Sequence, residues 1–306
     1  MIIMSDLARQ SVKVYQHLPL RIVLVEPAGG LNVGSIARVM KNMGLFHLTL
    51  VKPKCDPLGE DARQMAVHAD DILTTATVVE TVPDALKGCQ RVVATTARDR
   101  DLNLPVNVPT EGLRWLLDVE TTETSDGSNA IDSTPAALLF GPEDRGLSNA
   151  ELIYAQRLIN IPTNPAYASL NLAQAVTICC YELRQLMSPQ LFQSSSASQV
   201  TPQADRETLP SPPRGPRDVG AEGPQAEDSK SVDIAPFEAL EGYYQQLEDV
   251  LLRIGYLYPH TAKRRMEKFR LLFNRSKLSS NEVAMLRGIL RQIEWAIQSD
   301  SPDLHE

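Results

Sequence analysis

Residues Arg21 to Val51 run RIVLVEPAGGLNVGSIARVMKNMGLFHLTLV, and their periodicity decides the fold. RIVLV is an apolar, β-branched run of strand length, and EPAGGL is a glycine-rich turn. Val33, Ile36, Ala37, Met40 and Met43 then recur at helical spacing, which predicts a helix with Asn32 as N-cap, Gly44 closing it, and a second strand over Leu45 to Val51. Strand, helix and strand in that order form the unit of a parallel sheet. Ser35, Arg38, Lys41 and Asn42 share the other helix face, so Arg38 points away from the core. For an arginine taken alone, a merely solvated side chain is the ordinary reading of that position.

The same alternation continues outward. Short helices are expected over Asp61 to Ala69, Asp84 to Gly88 and Glu111 to Val119, and a strand over Arg91 to Ala97. Thr121 to Thr134 is polar and turn-rich, an inserted loop. Ala136 to Phe140 is a strand that ends in Gly141-Pro142-Glu143-Asp144-Arg145-Gly146 before a helix from Ser148. A last short strand (Leu158, Ile159, Ile161) passes through Pro162 and Pro165 into a helix carrying Leu172, Val176, Cys179, Cys180 and Leu183 on one face. Tyr167-Ala168-Ser169-Leu170-Asn171 lies between them, where α/β proteins bind ligands beyond the carboxyl end of a strand. Ser169 or Asn171 as a plain helix cap accounts for the same residues.

From Ser188 to about Asp233 serine, proline, glycine and mixed charges replace apolar anchors, the composition of a disordered linker. Pro236 to Ser299 then reads as three helices. The boundaries are therefore a leader at 1–20, an α/β domain at 21–187, a linker at 188–234, a helical domain at 235–299 and a tail at 300–306. Between Thr261 and Lys277 seven basic residues (Lys263, Arg264, Arg265, Lys268, Arg270, Arg275, Lys277) face one acid, Glu267. The chain as a whole carries a net charge of -8, so this stretch opposes the average. Phosphate-backbone contact and a solvated helix face both explain it.

Several chemistries lack their signatures. The glycines at 29, 30 and 34 are spaced G-G-x-x-x-G, not as a dinucleotide fingerprint, and the following strand ends in Lys52-Pro53-Lys54 where a ribose site wants an acid. There is no Walker lysine, no H-E-x-x-H and no G-x-S-x-G. Cys55, Cys89, Cys179 and Cys180 show no C-x-x-C spacing, which suggests no metal site or disulfide framework and fits a reducing cytoplasm. No apolar run reaches membrane-spanning length, and the first 20 residues have no continuous signal-peptide core.

Three segments together resemble, in order and spacing, the three motifs of the SpoU branch of the SPOUT RNA methyltransferases: NVGSIAR (Asn32 to Arg38), LFGPEDRGLS (Leu139 to Ser148) and IPTNPAYASLNLAQAV (Ile161 to Val176). The helical segments YYQQLEDVLLRIGYL, KRRMEKFRLLFNR and EVAMLRGILRQIEWA are similar to the C-terminal domain of the TrmJ group. The resemblance covers about Arg21 to Leu186 and Glu241 to Ile297. It implies a SPOUT α/β fold with a deep trefoil knot and a mainly parallel sheet, followed by a small all-helical domain. It implies S-adenosylmethionine as cofactor, with Thr96, Gly141, Glu143, Ile161, Ser169, Leu170 and Asn171 among the lining positions. Arg38, Ser169 and Asn171 take the family's catalytic positions, and the proteins are homodimers whose sites lie at the subunit interface.

The implied reaction is 2'-O-methylation of nucleotide 32, cytidine or uridine, in the tRNA anticodon loop, without metal or membrane. Asn32, Arg38, Lys263, Arg264, Arg265, Lys268 and Arg275 are the expected RNA contacts. Another RNA target or a non-catalytic RNA-binding protein are the alternatives. Arg38 is the family's proposed base, but an arginine pKa above about 12 makes charge stabilisation or phosphate gripping equally suitable. Glu143 fits either a structural acceptor or a catalytic group. The turn Pro27-Ala28-Gly29-Gly30-Leu31 and the strand end Ala94-Thr95-Thr96 depart from the family's common sequences.

Overall fold

The computed structural model describes residues 18–98, 102, 104–117, 135–187 and 234–299. The expected leader before Leu18, the insertion 121–134, the linker over 188–233 and the tail 300–306 lie outside them. Seven strands form one parallel sheet in the order β3-β2-β1-β6-β4-β7-β5. They are β1 (Leu20–Val25), β2 (His47–Val51), β3 (Thr77–Val79), β4 (Arg91–Thr95), β5 (Val106–Asn107), β6 (Ala136–Phe140) and β7 (Arg157–Ile159).

The sheet is covered on both faces, which is why its central strands are apolar without interruption. In β1, Ile22 and Leu24 enter one core while Val23 and Val25 enter the other; in β6, Leu138 and Phe140 divide from Ala137 and Leu139 in the same way. The first core is closed by α1 (Gly30–Met43), α2 (Glu60–Ala66), α3 (Asp70–Thr74), α5 (Pro109–Leu116) and α7 (Leu172–Met187). The second is closed by α4 (Val82–Leu86) and by Leu152 of α6 (Asn149–Leu152). Cys179 and Cys180 sit in the first core, where burial pushes the Cys179 thiol up to about 12, and all four cysteines are free. Such thiols pack; they do not react.

Two boundary expectations are corrected. Helix α1 begins at Gly30 with Gly29 as N-cap, so Asn32 lies inside the first turn and its side chain is released for other work. The helix beginning near Asp61 is two, because a turn at Val67-His68, with Val67 at φ 55, interrupts it before Ala69 caps the second. The end of α1 matches: Gly44 adopts φ 77 and its N–H closes on Lys41 and Met40. Gly34 is a packing residue and not a phosphate-loop glycine, since a Cβ there would lie 2.1 Å from the Ala62 carbonyl oxygen of α2. Edge strands β3 and β5 are too short to show in the sequence pattern.

The helical domain contains α8 (Phe237–Arg253), α9 (Pro259–Asn274) and α10 (Ser280–Ser299) around Tyr243, Tyr244, Leu247, Val250, Met266 and Leu290. It docks on the α/β domain at one end. The Phe237 N–H donates to the Cys89 carbonyl (2.9 Å), and the Gly88 N–H donates to Glu238. Asn274 bridges the domains, accepting from the Tyr244 hydroxyl (2.8 Å) and donating to the Ile153 carbonyl (2.9 Å). Arg270 pairs with Glu241 and lies over the rings of Tyr244 and Tyr154, 4.6 and 5.5 Å from their centroids. One of the seven basic residues of the stretch is therefore structural.

Candidate active site

Strands β6, β4 and β7 are neighbours, so the loops at their carboxyl ends meet. They line one cleft that opens to solvent, the concave kind of surface on which small molecules bind. Thr95 and Thr96 end β4, Gly141 to Leu147 follow β6, and Ile161 with Ala168-Ser169-Leu170 follow β7. Phe140, Leu147, Ile159 and Leu172 supply an apolar floor, while Glu143, Asp144, Arg98 and Arg145 bring both signs of charge to the rim. Six of the seven expected cofactor positions (Thr96, Gly141, Glu143, Ile161, Ser169, Leu170) line this one cleft.

The seventh, Asn171, stands just outside the wall. Its Oδ1 accepts from the N–H groups of Ala173 (2.8 Å) and Gln174 (3.4 Å), and the Gln174 side chain accepts from the Asn171 N–H (3.2 Å). That is the reciprocal cap of α7. Its Nδ2 donates to Asn32 Oδ1 (3.1 Å), Asn32 Nδ2 donates to Glu143 Oε1 (2.7 Å), and Glu143 also accepts from the N–H groups of Ala28 (3.0 Å) and Gly29 (3.2 Å). One relay thus ties the three sequence segments together. Burial pushes the Glu143 carboxyl up, but the bonds from Asn32, Ala28 and Gly29 outweigh it and hold the group below its ordinary 4.5. Glu143 is a structural acceptor.

A second network pins the loop after β6. Arg145 donates to both Glu151 oxygens (2.9 and 3.0 Å) and to Glu26 (3.2 Å), which also pairs with Lys54 (2.9 Å). Ser148 and Glu151 form the capping box of α6, at the helix start expected near Ser148. Glu26 and Lys52 adopt φ 48 and φ 45 at the ends of β1 and β2, a conformation that costs a non-glycine residue about 1–2 kcal/mol. Sequence reasoning found Arg145 only as part of a motif, because its partner Glu26 is 119 residues away.

Arg38 is placed differently. It is exposed on α1, forms no hydrogen bond or ion pair among the described residues, and does not line the cleft of its own chain. Ser169 is exposed in the cleft wall with its hydroxyl likewise unengaged. Among the described residues no group of three or more His, Cys, Asp or Glu side chains is arranged to hold a metal, and no helix is long and apolar enough to cross a membrane. In the helical domain Lys263, Arg264, Arg265, Lys268 and Arg275 are all exposed, whereas Lys277 lies over the Trp115 ring, 5.6 Å from its centroid.

The Glu143 relay has a measurable consequence. Glu143→Gln keeps the shape but replaces one acceptor with a donor facing N–H groups, and we expect the protein to lose about 1.5–3 kcal/mol, read as a lower melting temperature. The depressed carboxyl also fixes the acid response. Its contribution is fully present above 4.5 and is lost as pH falls through the lower folded value, so the wild type's advantage over the variant disappears below pH 4.5. An advantage that persisted unchanged there contradicts the assignment.

Fold and cleft define a parallel α/β ligand-binding domain with a basic helical appendage. Residues 19–181 match the SpoU rRNA Methylase family, and residues 238–302 match the C-terminal domain of the tRNA methyltransferase TrmJ. The tRNA (cytidine/uridine-2'-O-)-methyltransferase TrmJ of Klebsiella pneumoniae is 36% identical over 276 residues, covering 90% of this chain and 96% of its own. The tRNA (cytidine/uridine/adenosine-2'-O-)-methyltransferase TrmJ of Pseudomonas aeruginosa is 35% identical over 275 residues, 90% and 93% of the two chains. The crystal structure of TrmJ from Z. mobilis superposes with a TM-score of 0.67 at 29% identity, covering 90% of this chain and 98% of that one. The chain belongs to the SpoU methylase family and, within it, to the TrmJ methyltransferases.

Proposed function

We propose that the protein transfers the methyl group of S-adenosylmethionine to the ribose 2'-hydroxyl of nucleotide 32, cytidine or uridine, in the tRNA anticodon loop. The observation that carries the reading is that the second and third motif segments line one cleft and that hydrogen bonds from Asn32 to Glu143 and from Asn171 to Asn32 tie the first segment to them. The cleft suits that cofactor: an apolar floor for a purine, and both signs of rim charge for an amino-acid zwitterion beside a sulfonium. When bound, the cofactor supplies an electrophilic methyl, whose bond to sulfur breaks as the bond to O2' forms.

The chain's own residues have three tasks. Thr96, Gly141, Ile161 and Leu170 form the walls that fix the reacting centres, and such positioning supplies much of the acceleration in reactions of this kind. Ser169 presents a hydroxyl at the wall that can accept a hydrogen bond from the attacking 2'-hydroxyl. Arg38 offers a cation for the developing negative charge on O2' or for the adjoining phosphate, and the proton leaves to water.

Because Arg38 lies outside its own chain's cleft, the proposed enzyme is a homodimer in which one subunit's Arg38 completes its partner's site. The trefoil knot of the SPOUT fold and residence in the cytoplasm belong to the same reading. Lys263, Arg264, Arg265, Lys268 and Arg275 then meet tRNA phosphates.

Binding is checked by thermal unfolding. S-adenosylmethionine at 100 times its Kd stabilises the folded protein by about 2.7 kcal/mol, and labelled methyl enters unmodified tRNA transcripts. A melting temperature indifferent to the cofactor, together with no incorporation, contradicts the proposal.

A further inference from the structure

The turn between α8 and α9 carries an arrangement that phosphate contacts leave unexplained. Leu257 is buried and anchors the turn, its N–H donating to the Leu251 carbonyl (2.9 Å). Tyr256 and Tyr258 on either side are 52% and 56% exposed. His260 stacks on Tyr258, with centroids 6.0 Å apart and planes at 23°. The Arg265 guanidinium sits 5.6 Å from the centre of the Tyr256 ring and donates to the Tyr256 carbonyl (3.2 Å). Three rings in five residues therefore face solvent beside Lys263, Arg264 and Arg265, in a chain of net charge -8.

The turn also stands at the free end of the helical domain. The docking contacts lie at the start of α8 and the end of α9. A helix of 17 residues spans roughly 25 Å, so the rings are held about that far along α8 from the seam. Exposed aromatic rings interleaved with cations are the platform on which unpaired bases stack, because every base has a π-face while the backbone phosphates meet the cations.

We propose that Tyr256 and Tyr258, with His260 and Arg265, form a stacking surface for unpaired nucleotides of the RNA substrate, separate from the methyl-transfer cleft. The surface takes single-stranded RNA and not duplex, because only unpaired bases offer a free face. This rests on the methyltransferase reading above, but it can fail separately from it.

The test uses the full chain. Tyr256→Leu and Tyr258→Leu are each expected to raise KM for tRNA about tenfold with kcat unchanged, and the phenylalanine variants to retain wild-type values. The dependence of binding on salt stays the same in the leucine variants and weakens in Lys263→Gln or Arg264→Gln, since only the latter remove phosphate contacts. Melting temperatures identify any variant that is simply misfolded.

A Tyr258→Trp variant provides an independent reading: its added fluorescence is quenched by an RNA hairpin with an open loop and not by a blunt duplex. Leucine variants with wild-type KM overturn the inference. So does a phenylalanine variant as weak as leucine, because the hydroxyl then matters and not the ring. If the wild type transfers no methyl to tRNA the enzymatic reading falls, while hairpin quenching still judges the stacking surface.

Discussion

Arg38→Ala lowers kcat for methyl transfer by about 10²–10³-fold and leaves the fold untouched. Both halves of this expectation come from where the residue stands. Val33, Ile36, Ala37 and Met40 bury the inner face of α1, and Arg38 on the other face touches no partner that stability depends on. Surface substitutions of that kind stay within about 0.5 kcal/mol. The loss is therefore one of transition-state stabilisation, with cofactor affinity preserved. Arg38→Lys keeps the charge but not the planar fork, and recovers only part of the rate. Subunit mixing decides which site Arg38 serves. If it completes the partner's cleft, an Arg38→Ala subunit paired with one whose own cleft is blocked has one intact site and regains activity. If Arg38 serves its own cleft, that pairing stays inactive and the dimer proposal fails.

Gly141→Ala strikes the cleft itself. A Cβ at 141 would lie 2.2 Å from the Leu147 nitrogen and 2.3 Å from the Gly146 carbonyl carbon. Both are backbone atoms and neither can rotate away. The loop after β6 must shift, although Arg145, Glu151 and Glu26 hold it in place. Overpacking of this kind costs about 1–3 kcal/mol. The shift carries Glu143 with it, so the relay to Asn32 and Asn171 opens. The expected result is a lower melting temperature and a loss of cofactor-induced stabilisation, because the wall that Gly141 forms has moved. An alanine variant that binds S-adenosylmethionine as tightly as wild type contradicts the placement of the cofactor in this cleft.

Much of this was legible in the sequence, for identifiable reasons. Strand β1, helix α1 and strand β2 announce themselves because their periods are strong and Gly44 ends the helix with a glycine's own conformation. The cleft lining was reached through the family resemblance, which implied Thr96, Gly141, Glu143, Ile161, Ser169 and Leu170; they meet because they follow the neighbouring parallel strands β4, β6 and β7. What stayed hidden depends on long-range geometry. The role of Asn32 as the link between Glu143 and Asn171 cannot be read from a residue that looks like an N-cap. The withdrawal of Arg270 from the basic stretch, into a pair with Glu241, is set by the packing of α8 against α9. Of the alternatives posed for Asn171, the structure displays the cap, through Oδ1, while Nδ2 joins Asn32 in the relay just outside the cleft wall.

Mapping the methylated nucleotide tests the central claim most directly. A ribose carrying a 2'-O-methyl group has lost the nucleophile of alkaline cleavage, so the ladder of a treated tRNA transcript should show a single gap after nucleotide 32. The gap should be missing from the transcript not exposed to the enzyme and should vanish when Arg38→Ala replaces wild type, while a transcript carrying a 2'-deoxy residue at 32 should take up no labelled methyl. A continuous ladder despite methyl incorporation, or a gap elsewhere with nucleotide 32 cleaved normally, contradicts the account.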